Sequence, residues 1–321
     1  MEAQDPSGAE APTYGTRGRA AGETPATGTV ALFEHRYGTL AAASGSVQQT
    51  GGASEPCPSG TRPASLPHVD ILTDPAQFFA ILGAAIFAGA GNAIAGGGTI
   101  ISFPVLVWAG LPPVLANTTN TVGLWAGLGG GAWSYRRRIT RQEGWTRLWI
   151  PALSGGALGA GLLLALPPDW FGAIAPWLMI SCAVLVAADP MMRRRFPEGA
   201  PRPTRLLSSA GALFLVSVYG GYFGAGIGIL ILLTLSRLGM DDLHDANGIK
   251  NLLVVGIKGV AMVLFAVTGM VVWVAALVML VGSSAGGWAA GYLVQKLDQA
   301  TLRWVVVGVG LSMGVLMLVQ G

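Results

Sequence analysis

The chain has 321 residues, of which 52% are hydrophobic and 11% charged, with a formal net charge of +3. A soluble domain is near a quarter charged, so this composition argues against a water-soluble globular protein. It also argues against a nucleic-acid partner, which would need basic residues gathered on a soluble module. Forty-eight glycines and ten tryptophans fit a polytopic helical membrane protein, in which glycine is common in the spans and tryptophan favours the interfaces.

Residues 1–72 read as a polar N-terminal tail, rich in Gly, Ala, Pro, Ser and Thr and without apolar periodicity. Such a stretch buries too little surface to offset chain entropy, so disorder is expected. It does not read as a secretory signal, because no basic region leads directly into an apolar one. Up to Asp74 the chain carries four Arg and eight Asp or Glu, and the remainder carries fifteen Lys or Arg and eight Asp or Glu.

From Pro75 onward the chain is oily. A helix needs about 20 apolar residues to cross the hydrocarbon core. Eight segments qualify, at about 76–110, 114–135, 147–166, 171–190, 206–238, 246–268, 271–294 and 301–320. Six suit one span each. The segments 76–110 and 206–238 are too long for one straight span, and each has a glycine cluster near its middle.

Loop charge sets the orientation. "RRRITRQEGWTR" after Tyr135 and "RRRFPEGAPRPTR" from Arg193 to Arg205 carry five arginines each. Both are therefore expected on the cytoplasmic side. If 206–238 dips into the membrane and returns, the loops holding Arg237, Lys296 and Arg303 are cytoplasmic as well. By the same logic 76–110 dips in from outside, and the acidic tail is external.

The two long segments are alike. Gly110, Ala116-Asn117 and Asn120 follow the first glycine cluster, and Gly239, Ala246-Asn247 and Lys250 follow the second. Trp145 with Gly159 matches Trp273 with Gly287 at nearly the same offset. The expected organisation is a first transmembrane repeat over 75–192, a basic cytoplasmic linker over 193–205 and a second repeat over 206–321. The fold class is all-α, with two inverted four-segment repeats. The first segment of each repeat is broken or re-entrant at its glycine cluster. Inverted repeats with discontinuous helices place transporter substrate sites at the repeat interface near the midplane.

Non-helical backbone inside a membrane must be buried in protein or line a wet cavity. Gly96-Gly97-Gly98, and Gly220-Gly221 with Gly224, Gly226 and Gly228, permit such breaks. Each new half-helix then offers free N–H groups and a positive dipole end, which suits an anion. Thr99 and Ser102 add hydroxyls beside the first break, and Tyr219 and Tyr222 flank the second. Close helix packing is the rival explanation of the glycines.

Lys250 and Lys258 lie within the sixth segment, where an ionisable residue is costly and points to function. Asn247, Asn251, Val254 and Lys258 share one helix face at this spacing. Snorkelling to the interface is the competing account of Lys250. Asn117 and Asn120 begin the matching helix of the first half and are expected to line a cavity, although a plain helix cap uses the same residue types. The substrate-binding set expected from these arguments is Gly97, Gly98, Thr99, Asn117, Asn120, Gly226, Gly228, Asn247, Lys250 and Lys258.

Asp189, beside Pro190 and three arginines, reads as an ion pair or helix stop. His244 and Asp245 read as a solvated helix start, while His35, His68 and Cys57 fall in or near the tail. Cys57 and Cys182 form no metal-ligand spacing and no disulfide framework. No hydrolase elbow, zinc-peptidase motif or phosphate-binding loop is present. No catalytic residue, metal or cofactor is expected.

The stretch "AGGGTIISFPVLVWAGLPPVLANTTNTVGLWAGLGGGAWSYRR" resembles the sulfite exporter TauE/SafE family. So does "YGGYFGAGIGILILLTLSRLGM" followed by "DANGIKNLLVVGIKGVAMVLFAVTGMVVWVAALVMLVGSSAGGWAAGYL". The likeness covers about residues 76–320 and leaves out the tail. It implies a multi-pass permease of the bacterial inner membrane for small anions, with sulfite or organosulfonates as the substrate class. The implied partners are the lipid bilayer and a small anionic substrate. Efflux of an anion is already favoured by an inside-negative potential, whereas uptake would require coupling, for example to protons. An uptake permease for another sulfur oxyanion or a small carboxylate, and a non-transporting membrane assembly factor, are the two rival readings.

Overall fold

The computed structural model describes residues 74–94, 96–134, 145–195, 206–237, 243–293 and 299–320. The expected tail, the Arg136–Arg141 turn and the linker beyond Arg195 lie outside the described residues, as do His35, Cys57 and His68. The described helices all belong to the unit Pro67–Gly321.

Among the described residues the secondary structure is helical throughout. The helices are α1 (Pro75–Ile94), α2 (Thr99–Trp108), α3 (Pro113–Ser134), α4 (Trp149–Ala165) and α5 (Pro168–Arg195). They continue as α6 (Leu206–Tyr222), α7 (Ile227–Arg237), α8 (Leu243–Val267), α9 (Trp273–Leu293) and α10 (Gln299–Gln320). Proline opens α1, α3 and α5, the position where its missing N–H costs nothing. Gly110 and Gly269 take left-handed φ values of 93° and 72° just after α2 and α8. The next residue in each case, Leu111 or Met270, donates five residues back to Leu106 or Phe265. That pattern is a glycine-terminated helix end.

Four described helices are long and apolar enough to cross a membrane, over Pro75–Asn92, Thr146–Ala165, Pro168–Met191 and Asp245–Val267. Large apolar side chains face outward along the bundle, among them Phe79, Phe87, Ile150, Trp170, Trp177, Trp273 and Trp288. A water-exposed protein would not carry so much apolar surface, so this is a multi-pass membrane protein. The polar start of α3 faces the other way. Every residue from Val114 to Leu124 is buried.

The two overlong segments are each split into two helices. At the first break Gly96 has φ 75° and its N–H donates to the Gly91 carbonyl, five residues back. At the second break Gly224 has φ 72° and donates to Tyr219, also five residues back. Gly226 follows with φ 66°.

Packing is symmetric between the halves. α1 packs on α9 and α6 on α4; α9 packs on α3 and α4 on α8. α3 packs on α8, and α5 on α10. Glycines carry the close contacts, as they do where membrane helices approach without a hydrophobic drive. A Cβ on Gly282 would meet Leu82 and Ala85, and one on Gly286 would strike the Ile86 carbonyl. In the counterpart pair, Gly155 faces Phe214 and Ser217, and Gly159 faces Val218 and Tyr222. Both registers rise together along the paired helices, so α1 runs parallel to α9 and α4 parallel to α6. Gly123 meets Ala276 and Met279 while Gly127 meets Ser283, so α3 is parallel to α9. In the same way Gly256 meets Trp149 and Leu153, and Gly156 meets Ile257, so α8 is parallel to α4. α8 and α9 join through the short turn 268–272 and run in opposite directions. Hence α1, α3 and α9 run one way, and α4, α6 and α8 the other.

Candidate functional site

The two breaks meet. A Cβ on Gly96 would lie 3.3 Å from the Gly228 Cα, and one on Gly228 would lie 3.4 Å from the Gly96 Cα. Only glycine permits this approach with Gly96 in a left-handed conformation. Beside the junction is a small, partly open cavity.

Its walls come from α3, α8 and the two breaks. α3 contributes Asn120, Thr121, Leu124 and Leu128, and α8 contributes Lys250, Asn251, Val254 and Lys258. Each α8 residue stands at one constant offset from its α3 counterpart. The breaks supply Asn92, Gly96 and Thr99 from one side and Gly224, Ile227 and Gly228 from the other. Among the described residues the lining carries two lysines and no carboxylate, and both lysines are on α8.

Of the ten residues singled out in the sequence, Thr99, Asn120, Gly228, Lys250 and Lys258 line this cavity. The other five sit close by with different neighbours. Gly97 faces the apolar side chains of Val306, Ile100 and Val186. The Gly98 N–H donates to Asn92 Oδ1 at 2.8 Å, and the residue packs on the Ala88 carbonyl. Gly226 faces Cys182. Asn247 Oδ1 accepts from Lys250 Nζ at 3.1 Å, so it orients the lysine. Asn117 Nδ2 donates to the Tyr222 carbonyl at 2.8 Å and ties α3 to the end of α6.

The polar run at the start of α3 therefore divides by role. Asn120 accepts from Ser102 Oγ at 2.5 Å, and its Nδ2 has no partner among the described residues. Thr118 Oγ1 donates to the Met270 carbonyl, and Thr119 Oγ1 accepts from the Val272 N–H at 3.0 Å. These two threonines clasp the α8–α9 turn.

Lys258 is 5% exposed, and its Nζ donates to the Phe223 carbonyl at 3.0 Å. That carbonyl is at the electronegative end of α6, which favours a cation. Tyr219 steadies the same break by donating to the Ala225 carbonyl at 2.6 Å. The lysine thus holds the second break while bordering the cavity.

Asn92 and Thr121 were not singled out in the sequence. Asn92 lies in the oily part of the first segment, where an isolated amide gives no periodic signal. Thr121 was detectable, since it occupies the position of Asn251 in the repeat. Asp189 and Arg303 approach to 3.9 Å, a contact between α5 and α10.

The sequence is related to known proteins. The profile described as sulfite exporter TauE/SafE matches residues 81–317. The chain belongs to the sulfite exporter TauE/SafE family. It is 31% identical over 205 residues to a probable membrane transporter protein, ORF9, of Sinorhizobium sp, covering 63% of this chain and 77% of the relative. A probable membrane transporter protein of Haemophilus influenzae is 25% identical over 217 residues, covering 67% of this chain and 84% of the relative. The probable membrane transporter protein YfcA of Escherichia coli K12 is 28% identical over 228 residues, covering 70% and 82%. No solved structure matches the chain at a significant level. This is a membrane transporter family, and the apolar helices fit that class.

Proposed function

We propose that this chain is a secondary transporter that moves a small anion, sulfite or an organosulfonate, outward across the bacterial inner membrane by alternating access. The observation that carries the reading is the cavity at the meeting point of the two glycine breaks. Cationic and amide side chains line it, no carboxylate does among the described residues, and two half-helices begin beside it. The first N–H groups of a helix lack intrahelical partners and favour anions.

The architecture proposed is a pair of inverted repeats, α1–α5 and α6–α10, each opening with a re-entrant hairpin. The packing registers support it. α1 and α3 run in the same direction, so α2 must bring the chain back between them. α6 runs opposite to its counterpart α1. The arginine-rich turns support a cytoplasmic location for the end of α3 and the start of α4. The starts of α3 and α9 are then external.

In this reading Lys250, oriented by Asn247, supplies the charge facing the anion. Asn120 Nδ2, the Thr99 hydroxyl and the backbone near Gly228 supply hydrogen bonds, and Lys258 keeps the second break in place. An inside-negative potential favours efflux by about 2.3 kcal/mol per charge per 100 mV, so no coupling ion is required for export. A flux panel on purified protein in liposomes, using radiolabelled sulfite, thiosulfate and a short sulfonate, tests the proposal. Efflux that grows with inside-negative potential is expected. Net uptake against that potential would favour a coupled importer, and no flux of any anion would favour an assembly role.

A further inference from the structure

The cavity is closed at one end and approachable at the other. Its half-buried lining residues, Asn92, Gly96, Leu128 and Asn251, lie toward the end where α1 and α3 finish and α8 begins. Toward the opposite end the packing is solid. Phe103, one turn beyond Thr99 on α2, is fully buried, as are Phe171 in the first turn of α5 and Phe223 at the second break. Phe103 meets both rings edge-on, with centroids 6.3 Å from Phe171 and 5.4 Å from Phe223. Phe171 and Phe223 are themselves 6.0 Å apart. Two helices, α2 and α5, and the second break thus meet in one aromatic knot.

The same layer holds buried polar atoms that lack partners among the described residues. They are Asn120 Nδ2, Asn117 Oδ1 one turn nearer the start of α3, and the Tyr222 hydroxyl. The two asparagines are each 1% exposed. The Tyr222 ring packs edge-on against Phe171 at 5.6 Å, beside the same aromatic cluster. Stranding a buried polar atom is costly, and three together call for a reason. Close packing for stability would have used apolar side chains here.

Building on the transport reading and its membrane orientation, we infer that Phe103, Phe171 and Phe223 form the outer gate of the pathway. Asn120, Asn117 and Tyr222 are the polar rungs the anion follows once that gate parts. The structure is the outward-closed state. The Thr118–Met270, Thr119–Val272 and Asn117–Tyr222 hydrogen bonds tie the halves together around the gate. The unpaired atoms gain water or substrate as partners when the three rings separate.

The test is thiol accessibility in full-length protein. Thr121→Cys, a near-isosteric change in the cavity wall, is placed in a Cys57→Ser/Cys182→Ser background. It is exposed to an impermeant anionic methanethiosulfonate from either side of the membrane. Labelling from the cytoplasmic side is expected to be fast, and from outside slow. Adding Phe103→Ala should raise the outside rate about tenfold or more by shifting the population toward the open gate, with the cytoplasmic rate unchanged. Phe171→Ala provides a second opening variant should Phe103→Ala fold poorly. Preserved cytoplasmic labelling in either variant shows that its cavity is intact. An unchanged outside rate in variants that still label from the cytoplasm overturns the gate. Tyr222→Phe, which removes only the stranded hydroxyl, should lower sulfite efflux severalfold without altering cytoplasmic labelling. Unchanged efflux removes Tyr222 from the path. Labelling needs no transported substrate, so a failed flux panel and a failed gate are separate results.

Discussion

The α3 and α8 faces of the cavity occupy the same register of two related helices, yet they differ in charge. Asn120 stands where the other half has Lys250, and Leu128 where it has Lys258. One face can only hydrogen-bond, while the other can also balance charge. Under the proposed duplication the two helices supply matching walls, and these two differences would supply the selectivity for sign that the transport reading requires. A cavity with lysines on both faces would hold an anion too tightly to release it, given the strength of charge-assisted bonds.

Breaking the container should have the largest effect. Gly224→Val would force a β-branched residue to φ 72° against Lys258 Nζ and the Gly220 carbonyl. Strain and overpacking together cost about 4 kcal/mol, so thermal unfolding in detergent should shift sharply downward and flux should vanish.

Removing the charge while keeping the container comes next. Lys250→Gln should weaken apparent anion affinity by about 30-fold or more, the size expected when one partner of a desolvated charged pair is lost. The exchange Asn120→Lys/Lys250→Asn sharpens the comparison. It moves the cation to the matching position across the cavity and should recover part of the flux.

Lys258→Met separates the two lysines. It strands the Phe223 carbonyl and should cost about 1 to 3 kcal/mol of stability, read as a lower melting temperature, with a smaller effect on affinity than Lys250→Gln. The smallest change is Thr118→Val, which deletes one clasp to the α8–α9 turn and should cost about 1 kcal/mol in the same melting assay.

Much of this comparison was legible before any coordinates. Overlong apolar segments and their glycine clusters marked out a helical membrane bundle with two broken segments, because spans and breaks follow from local composition. Lys250, Lys258 and Asn120 stood out because polar groups are expensive at that depth. Other placements were not legible. Asn117, Thr118 and Thr119 look like Asn120 in sequence, and a 100° step per residue turns each toward a different neighbour. Gly97 and Gly226 look like Gly96 and Gly228, but only the second pair touches. Which glycine faces the partner break depends on the φ values at the turn and on tertiary contact, and composition carries neither.

The most direct test of the central claim is sulfite efflux from proteoliposomes under an inside-negative potential, with the parent protein and Lys250→Gln compared at matched incorporation. The account predicts potential-dependent efflux by the parent and a large loss of apparent affinity in the variant. Efflux with the same concentration dependence in both would contradict it, because the anion would then be passing somewhere other than the cavity between α3 and α8.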